Sequence, residues 1–170
     1  MRTILETERL ILRELVIDDA TQLSRVLCDP ISMGYYPRPK TPREVVTWIE
    51  KNIERYATEG FGLWAVTRKS DGAFIGDCGI TLQHIDQDVL PEVGYHIIKE
   101  YCLNGYATEA ARGCLDFGFG KLKLAKIYSY TREDNIPSRR GMEKAGLKMM
   151  KTFENHGIPT VVYMIENHCV

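Results

Sequence analysis

Three short stretches place chemically capable residues where a fold can use them. In Glu92-Val93-Gly94-Tyr95, a carboxylate stands two places before a glycine inside a strand-like run. Residues two apart share one face of a strand, and a glycine there leaves room for a close approach. A carboxylate held at such a gap can accept a proton. In Leu103-Asn104-Gly105-Tyr106-Ala107-Thr108-Glu109, a glycine turn runs into an alanine-rich helix. A helix start leaves about four N–H groups unpartnered and carries partial positive charge. Small residues there let an anion come close, and a strand-loop-helix junction is a phosphate-binding geometry. In Asn135-Ile136-Pro137-Ser138-Arg139-Arg140, two polar side chains open a helix that Gly146 closes.

Each stretch also has a purely structural account. Glu92 reads equally as an exposed strand residue and Gly94 as an accidental bulge. The glycine loop reads as a tight turn before a well-packed alanine face. Asn135 is a good helix cap, Ser138 a polar first-turn residue and Gly146 a C-terminal stop. Neither G-x-x-x-x-G-K-S/T nor G-x-G-x-x-G occurs in the chain, so the loop is not one of those two nucleotide fingerprints. The cysteines are Cys28, Cys78, Cys102, Cys114 and Cys169, an odd number without C-x-x-C spacing. A disulfide framework or structural zinc is not expected. Cys102 and Cys114 read as small buried hydrophobes rather than nucleophiles. His84, His96 and His168 lack ligand-like spacing, and no metal is expected.

The elements that must position these residues follow from periodicity. Residues 10–15 alternate as a strand, and Asp18 or Asp19 can cap the helix after it. Residues 29–42 hold four prolines and a glycine and read as a loop. Thr41 and Pro42 then open a helix carrying Val45, Trp48, Ile49, Ile53 and Tyr56 at helical spacing. Two strands flank a Ser70-Asp71-Gly72 turn, and a third contains Glu92. Ala107, Ala110, Ala111, Cys114, Leu115 and Gly118 form one helix face. A strand over residues 125–132, the Asn135 helix and two last strands, near 148–153 and 160–165, complete the chain. The expectation is a single domain over 1–170 with a mixed α/β sheet of about seven strands and about four helices.

Composition narrows the function classes. The chain has 170 residues, 44% hydrophobic and 26% charged, with net charge −1. That balance gives no general attraction to nucleic acid or to an anionic membrane. No apolar run approaches the roughly 20 residues of a membrane span. The N-terminal residues carry acids where an export signal needs a continuous apolar stretch, so the expected compartment is the cytoplasm.

In this order and at these separations, the three stretches resemble the Gcn5-related N-acetyltransferase (GNAT) superfamily. The segments 92–110 and 135–147 look like the branch containing the ribosomal-protein N-terminal acetyltransferases, and residues 7–15, Trp64 and Gly76 are placed similarly. The resemblance implies acetyl-coenzyme A as donor, no metal, and a primary amine as acceptor. It implies a pyrophosphate cradled by the N–H groups of Leu103, Asn104, Gly105, Tyr106, Ala107 and Thr108. It implies a pantetheine arm laid along the backbone of Tyr95, His96 and Ile97, with Asn135 reaching the coenzyme from the far side. Cys102 and Asn104 depart from the family pattern, so the loop lacks a side-chain cation. Arg139 or Arg140 would then contact the coenzyme, or else form a solvated helix face.

Acetyl transfer needs a neutral amine, a polarised carbonyl and a proton for the leaving thiolate. The expected roles are Glu92 as base, an N–H near Ile97 on a bulged strand as oxyanion donor, and Ser138 as proton donor to sulfur or as a coenzyme contact. Tyr35, Tyr36 and Trp64 are the acceptor-pocket candidates, with Glu154 and His156 contributed by the last hairpin. The acceptor is expected to be the α-amino group of a protein or peptide. A small amine (polyamine or aminoglycoside) and a non-catalytic coenzyme-binding module remain alternatives. A homodimer is an expectation from similar proteins only.

Overall fold

Helix caps and hairpin turns fix most element boundaries in the computed structural model, which describes residues 2–167. The strands are β1 (Thr3–Glu6), β2 (Leu10–Arg13), β3 (Leu63–Arg68), β4 (Phe74–Ile85), β5 (Asp88–Ile97), β6 (Lys126–Arg132), β7 (Lys148–Asn155) and β8 (Ile158–Glu166). The helices are α1 (Ala20–Leu27), α2 (Pro42–Thr58), α3 (Tyr106–Gly120) and α4 (Ile136–Ala145). His168 and Cys169 lie outside the described residues.

Thr41 caps α2 as its sequence implies. Its hydroxyl accepts from Glu44 N at 3.3 Å, while Glu44 Oε2 accepts from Thr41 N at 2.7 Å. This reciprocal pair satisfies two donors at the helix start. Asp19 behaves differently from expectation. It stands at the α1 N-cap position without a side-chain cap bond. Its carboxylate instead takes both forks of Arg13 at 2.8 Å and Val16 N at 2.9 Å. A charge-assisted bidentate pair outcompetes a single cap bond.

The strands form one mixed sheet in the order β1-β2-β3-β4-β5-β6-β8-β7. The eighth strand, β1, is four residues long and pairs with β2. It is too short to announce itself by periodicity. Two apolar clusters cover the two faces. Trp64, Ile80, Val93, Ala110, Cys114 and Ile127 belong to the cluster under α3 and α4. Ala65, Leu23, Leu27, Val45, Ile49 and Ile98 belong to the cluster under α1 and α2. Adjacent residues of β3 therefore serve opposite layers, as a sheet covered on both faces requires.

One seam interrupts the sheet. The β4–β5 ladder is unbroken from Gly76↔Ile97 to Ile85↔Asp88. The parallel β5–β6 ladder pairs only at Glu92↔Tyr128. Ser129 Oγ donates to Val93 O at 2.9 Å and holds the apex. Beyond that bond the two strands diverge, which leaves one edge of β5 open.

Candidate active site

The open edge has a definite polarity. In an antiparallel pair, alternate residues turn their backbone groups toward the partner. Ile98 N donates to Ile75 O at 2.9 Å, so Glu92, Gly94 and His96 also bond toward β4. Val93, Tyr95 and Ile97 face the seam. Tyr95 and Ile97 thus present backbone donors and acceptors where β6 has parted. The backbone of His96 does not, contrary to the expectation of three consecutive partners. No bulge occurs at Ile97 either, because its pairing with Gly76 is in register.

The side chains that turn to the α1–α2 face form a polar trough. Directly paired residues share a face, and the pairs here are Thr81↔Glu92, Gly79↔Gly94 and Asp77↔His96. Gly94 earns its place by space. A Cβ there would lie 3.0 Å from Glu92 Oε2 and 3.2 Å from Oε1. Glu92 is partly buried, and burial pushes its carboxyl up to about 7 against the opposing pull of His96, Thr81 and Arg55.

Asp77 and His96 form the second half of the trough. Asp77 is fully buried. Its Oδ1 accepts from His96 Nδ1 at 2.7 Å and its Oδ2 from Trp48 Nε1 at 3.1 Å. With Nδ1 committed to Asp77, Nε2 faces the Tyr36 hydroxyl at 3.0 Å, and either can donate to the other. Burial pushes the imidazole down, but the charge and hydrogen bond of Asp77, with Glu92 behind, more than offset this and raise it. Asp77 and Trp48 were not singled out from the sequence. The available signal was an aspartate in the middle of the apolar run Phe74-Ile75-Gly76-Asp77-Cys78-Gly79-Ile80, since an ionised group is buried only with partners.

The glycine loop turns sharply into the start of α3. Leu103 (φ 64°) and Gly105 (φ 80°) are both left-handed, and Leu103 is fully exposed. Glu109 N is bonded to Gly105 O at 3.0 Å, so the amides of Tyr106, Ala107 and Thr108 are the unpartnered donors of the helix start. The loop itself holds no cationic side chain, but Arg9, ion-paired with Glu109, stands beside it. Arg9 Nη1 donates to Asn104 O at 3.1 Å, its Nε to Glu109 Oε2 at 2.6 Å, and its guanidinium lies 4.6 Å from the Tyr106 ring centre. Arg9 arrives from the β1–β2 hairpin, far away in sequence. The same hairpin and α3 border a groove of about 890 Å³ that includes Arg9, Gly105, Thr108 and Arg112. Cys114 is buried as expected, 3.5 Å from Cys78 Sγ, whereas Cys102 is exposed. Its place in a polar loop, not its residue type, decides its exposure.

The start of α4 closes the seam. Asn135 Oδ1 accepts from Ser138 N at 3.3 Å, and its amide donates to Thr131 Oγ1 at 2.9 Å. The Tyr95 hydroxyl donates to Ser138 O at 3.4 Å. It sits over Gly141, where a Cβ would collide with the hydroxyl oxygen. Arg139 is committed to the protein: Nε donates to Tyr163 OH at 3.2 Å and Nη1 to Glu133 O at 2.9 Å. Arg140 is exposed.

A cavity of about 280 Å³ opens over the trough, walled by Tyr36, Trp48 and His96 with Arg38, Lys40 and Glu44. Tyr36, an acceptor-pocket candidate, lines this cavity. Tyr35 does not line this cavity; its ring faces Arg132 at 5.9 Å. Trp64 is corrected outright. It is 1% exposed and stacks edge-on against Phe117 at 5.1 Å, on the opposite side of the sheet from the cavity. Strand parity decides this, because Ala65, its neighbour, is the residue facing α1 and α2. Glu154 and His156 sit at the exposed β7–β8 turn, where His156 has φ 50°.

Comparison with known proteins gives concordant results. Residues 9–148 match the acetyltransferase (GNAT) domain family. The chain is 36% identical over 163 residues to the uncharacterized protein YkkB of Bacillus subtilis (strain 168), covering 95% of each chain. An acetyltransferase from Agrobacterium tumefaciens str. C58 superposes with a TM-score of 0.85 at 23% identity, covering 98% of this chain and 95% of that one. The aminoglycoside acetyltransferase AAC(6')-Ib, solved in complex with coenzyme A, superposes with a TM-score of 0.77 at 16% identity, covering 92% and 94%.

Proposed function

The chain belongs to the GNAT N-acetyltransferase family, and on that footing we propose that it transfers an acetyl group from acetyl-coenzyme A to an α-amino group. The observation that carries the reading is the placement of Glu92. Its carboxyl lies at the head of the seam, on the face of the acceptor cavity, and burial holds it near neutrality. A base poised near the working pH combines enough ionised form with enough driving force to take an ammonium proton.

The same reading assigns the remaining roles. The pyrophosphate is received by the amides at the start of α3, with Gly105 and Ala107 giving access and Arg9 adding charge beside them. The pantetheine amides pair with Tyr95 and Ile97 along the open edge of β5, as an added strand does. Ile97 N–H is the donor available for the developing oxyanion. Ser138, beside the Tyr95 hydroxyl at the first turn of α4, donates the proton to the departing sulfur. Asn135 supports this end by fixing the α4 start rather than by a free side chain. Acetyl-coenzyme A supplies the activated acyl group when bound.

Calorimetry and a thiol-release assay test the proposal together. Acetyl-coenzyme A binds at micromolar strength and raises the melting temperature. Thiol release is faster with α-amino peptides than with polyamines or aminoglycosides. No binding at millimolar coenzyme defeats the reading, and a preference for aminoglycosides replaces its acceptor.

A further inference from the structure

We propose that the cavity over the trough takes an amine that also carries a carboxylate, with Lys40 as the anion's partner. This rests on the transferase reading and narrows it: the acceptor is an amino-acid-like end rather than an α-amine of any kind.

The charge inventory of the cavity supports this. Its one lining carboxylate, Glu44, is already saturated. Arg38 holds both of its oxygens, at 2.5 and 2.9 Å, and Thr41 N adds a third bond at 2.7 Å. Asp77 lies behind His96 with both oxygens taken. A polycationic acceptor therefore finds no carboxylate there for its second ammonium. Lys40 is in the opposite condition. Its Nζ stands 4.5 Å from the Trp48 ring centre, and among the described residues no carboxylate pairs with it. Its backbone N donates to Leu27 O at 2.8 Å, which fixes where the side chain starts. An anion on Lys40 would be partly shielded from water by Trp48 and Met33, which strengthens the pair relative to an exposed one.

The other end of the cavity suits the amine. Whichever of the Tyr36 hydroxyl and His96 Nε2 donates across their 3.0 Å contact, the Tyr36 oxygen keeps at least one lone pair for an N–H of the acceptor. Glu92 lies beyond it on the same sheet face. The cavity thus pairs acceptors on the sheet side with a cation on the loop side, the pattern of an α-amino acid. About 280 Å³ is small for a ligand site. That volume suits an acceptor of amino-acid size better than an aminoglycoside.

Two sources share this chemistry: a free amino acid, and a peptide with an acidic residue beside its N-terminus. The test compares kcat/KM for L-phenylalanine and L-methionine, for their amides, for Ala-Glu and Ala-Gln tetrapeptide amides, and for spermidine. The acids exceed their amides by about tenfold or more, as a charged hydrogen bond allows. Preference for L-phenylalanine over Ala-Glu peptides identifies the free acid, and the reverse identifies the peptide. Lys40→Met brings the acid-to-amide ratio close to one, and Lys40→Glu moves preference toward spermidine. Amides or spermidine matching the acids, or equal losses for acid and amide in Lys40→Met, overturn the proposal. Ligand-observed NMR of L-phenylalanine against phenylalaninamide reads the same preference without catalysis. Equal binding of the two also overturns it, whereas absent coenzyme binding by calorimetry sinks only the transferase reading.

Discussion

The proposed coenzyme side and the proposed acceptor side of this protein are built on different principles. The proposed coenzyme side is mostly backbone: a left-handed glycine, the donors of one helix start and a strand edge lie within residues 95–108, and only Arg9 and the start of α4 are brought in from elsewhere. The acceptor side is side chains brought together from a distance. Tyr36 meets His96 across 60 positions, Trp48 meets Asp77 across 29, and Asp77 meets His96 across 19. A backbone cradle tolerates sequence drift as long as its turns survive. A side-chain constellation fails when any one member leaves its partner unsatisfied. Donor binding is therefore expected to be robust here and acceptor choice easily re-tuned.

The sharpest way to separate the two sides is Glu92→Gln. Its kcat falls roughly 10- to 1000-fold, since the isostere cannot take a proton, while coenzyme affinity is unchanged by calorimetry. In the parent, rate rises with pH as Glu92 ionises through about 7, and in the variant raising the pH partly restores it by neutralising the amine. Stability moves the other way. A carboxyl raised on folding costs the native state more as pH climbs from its unfolded value through about 7. The melting temperature of Glu92→Gln should gain on the parent across that window. A parental kcat at neutral pH would remove Glu92 as the base.

Gly105→Val attacks the coenzyme side. A β-branched residue at φ 80° is strained by about 1–3 kcal/mol, and its side chain would enter the proposed path of the pyrophosphate. Coenzyme affinity is expected to weaken by about tenfold or more, beyond what the loss of stability explains. A folded variant with parental affinity would reduce the loop to a turn. Asp77→Asn probes the acceptor side more gently. It keeps size but removes the charge that orients His96, so the KM for acceptor rises about tenfold with coenzyme binding intact. Equal losses on both sides would mean that the network only holds the fold. The smallest effect is Thr41→Ala, which costs about 1 kcal/mol in a denaturant melt and leaves coenzyme binding alone. A larger loss would show that the cap also seats Arg38 and Glu44 at the cavity.

The same division explains what could be read in the sequence. The Gly105 turn, the α3 face, the Asn135 and Thr41 caps and the Gly146 stop are local, and the structure has each where its residues placed it. Strand β1 is not legible because four residues carry no period. Trp64 is not placed by its type because aromatic identity says nothing about which face of β3 it occupies. Its parity against Ala65 says so, but only once the register with β4 is known. Arg9 and Lys40 carry no local signal at all. Their meaning depends on which residues they face, and that is set by sheet order rather than by spacing.

The single-pair seam between β5 and β6 has a consequence for folding as well as for chemistry. Strands β1 to β5 with α3, and β6 to β8 with α4, are joined by little ladder bonding. They are candidates for separate cooperative units that open before the whole molecule does. A coenzyme lying in the seam would then complete the sheet as mortar completes a wall. In the absence of coenzyme, the Tyr95 and Ile97 amides should exchange with solvent deuterium far faster than those of Gly94 and His96. Coenzyme should slow the first pair selectively, so that deuterium uptake registers the missing strand directly.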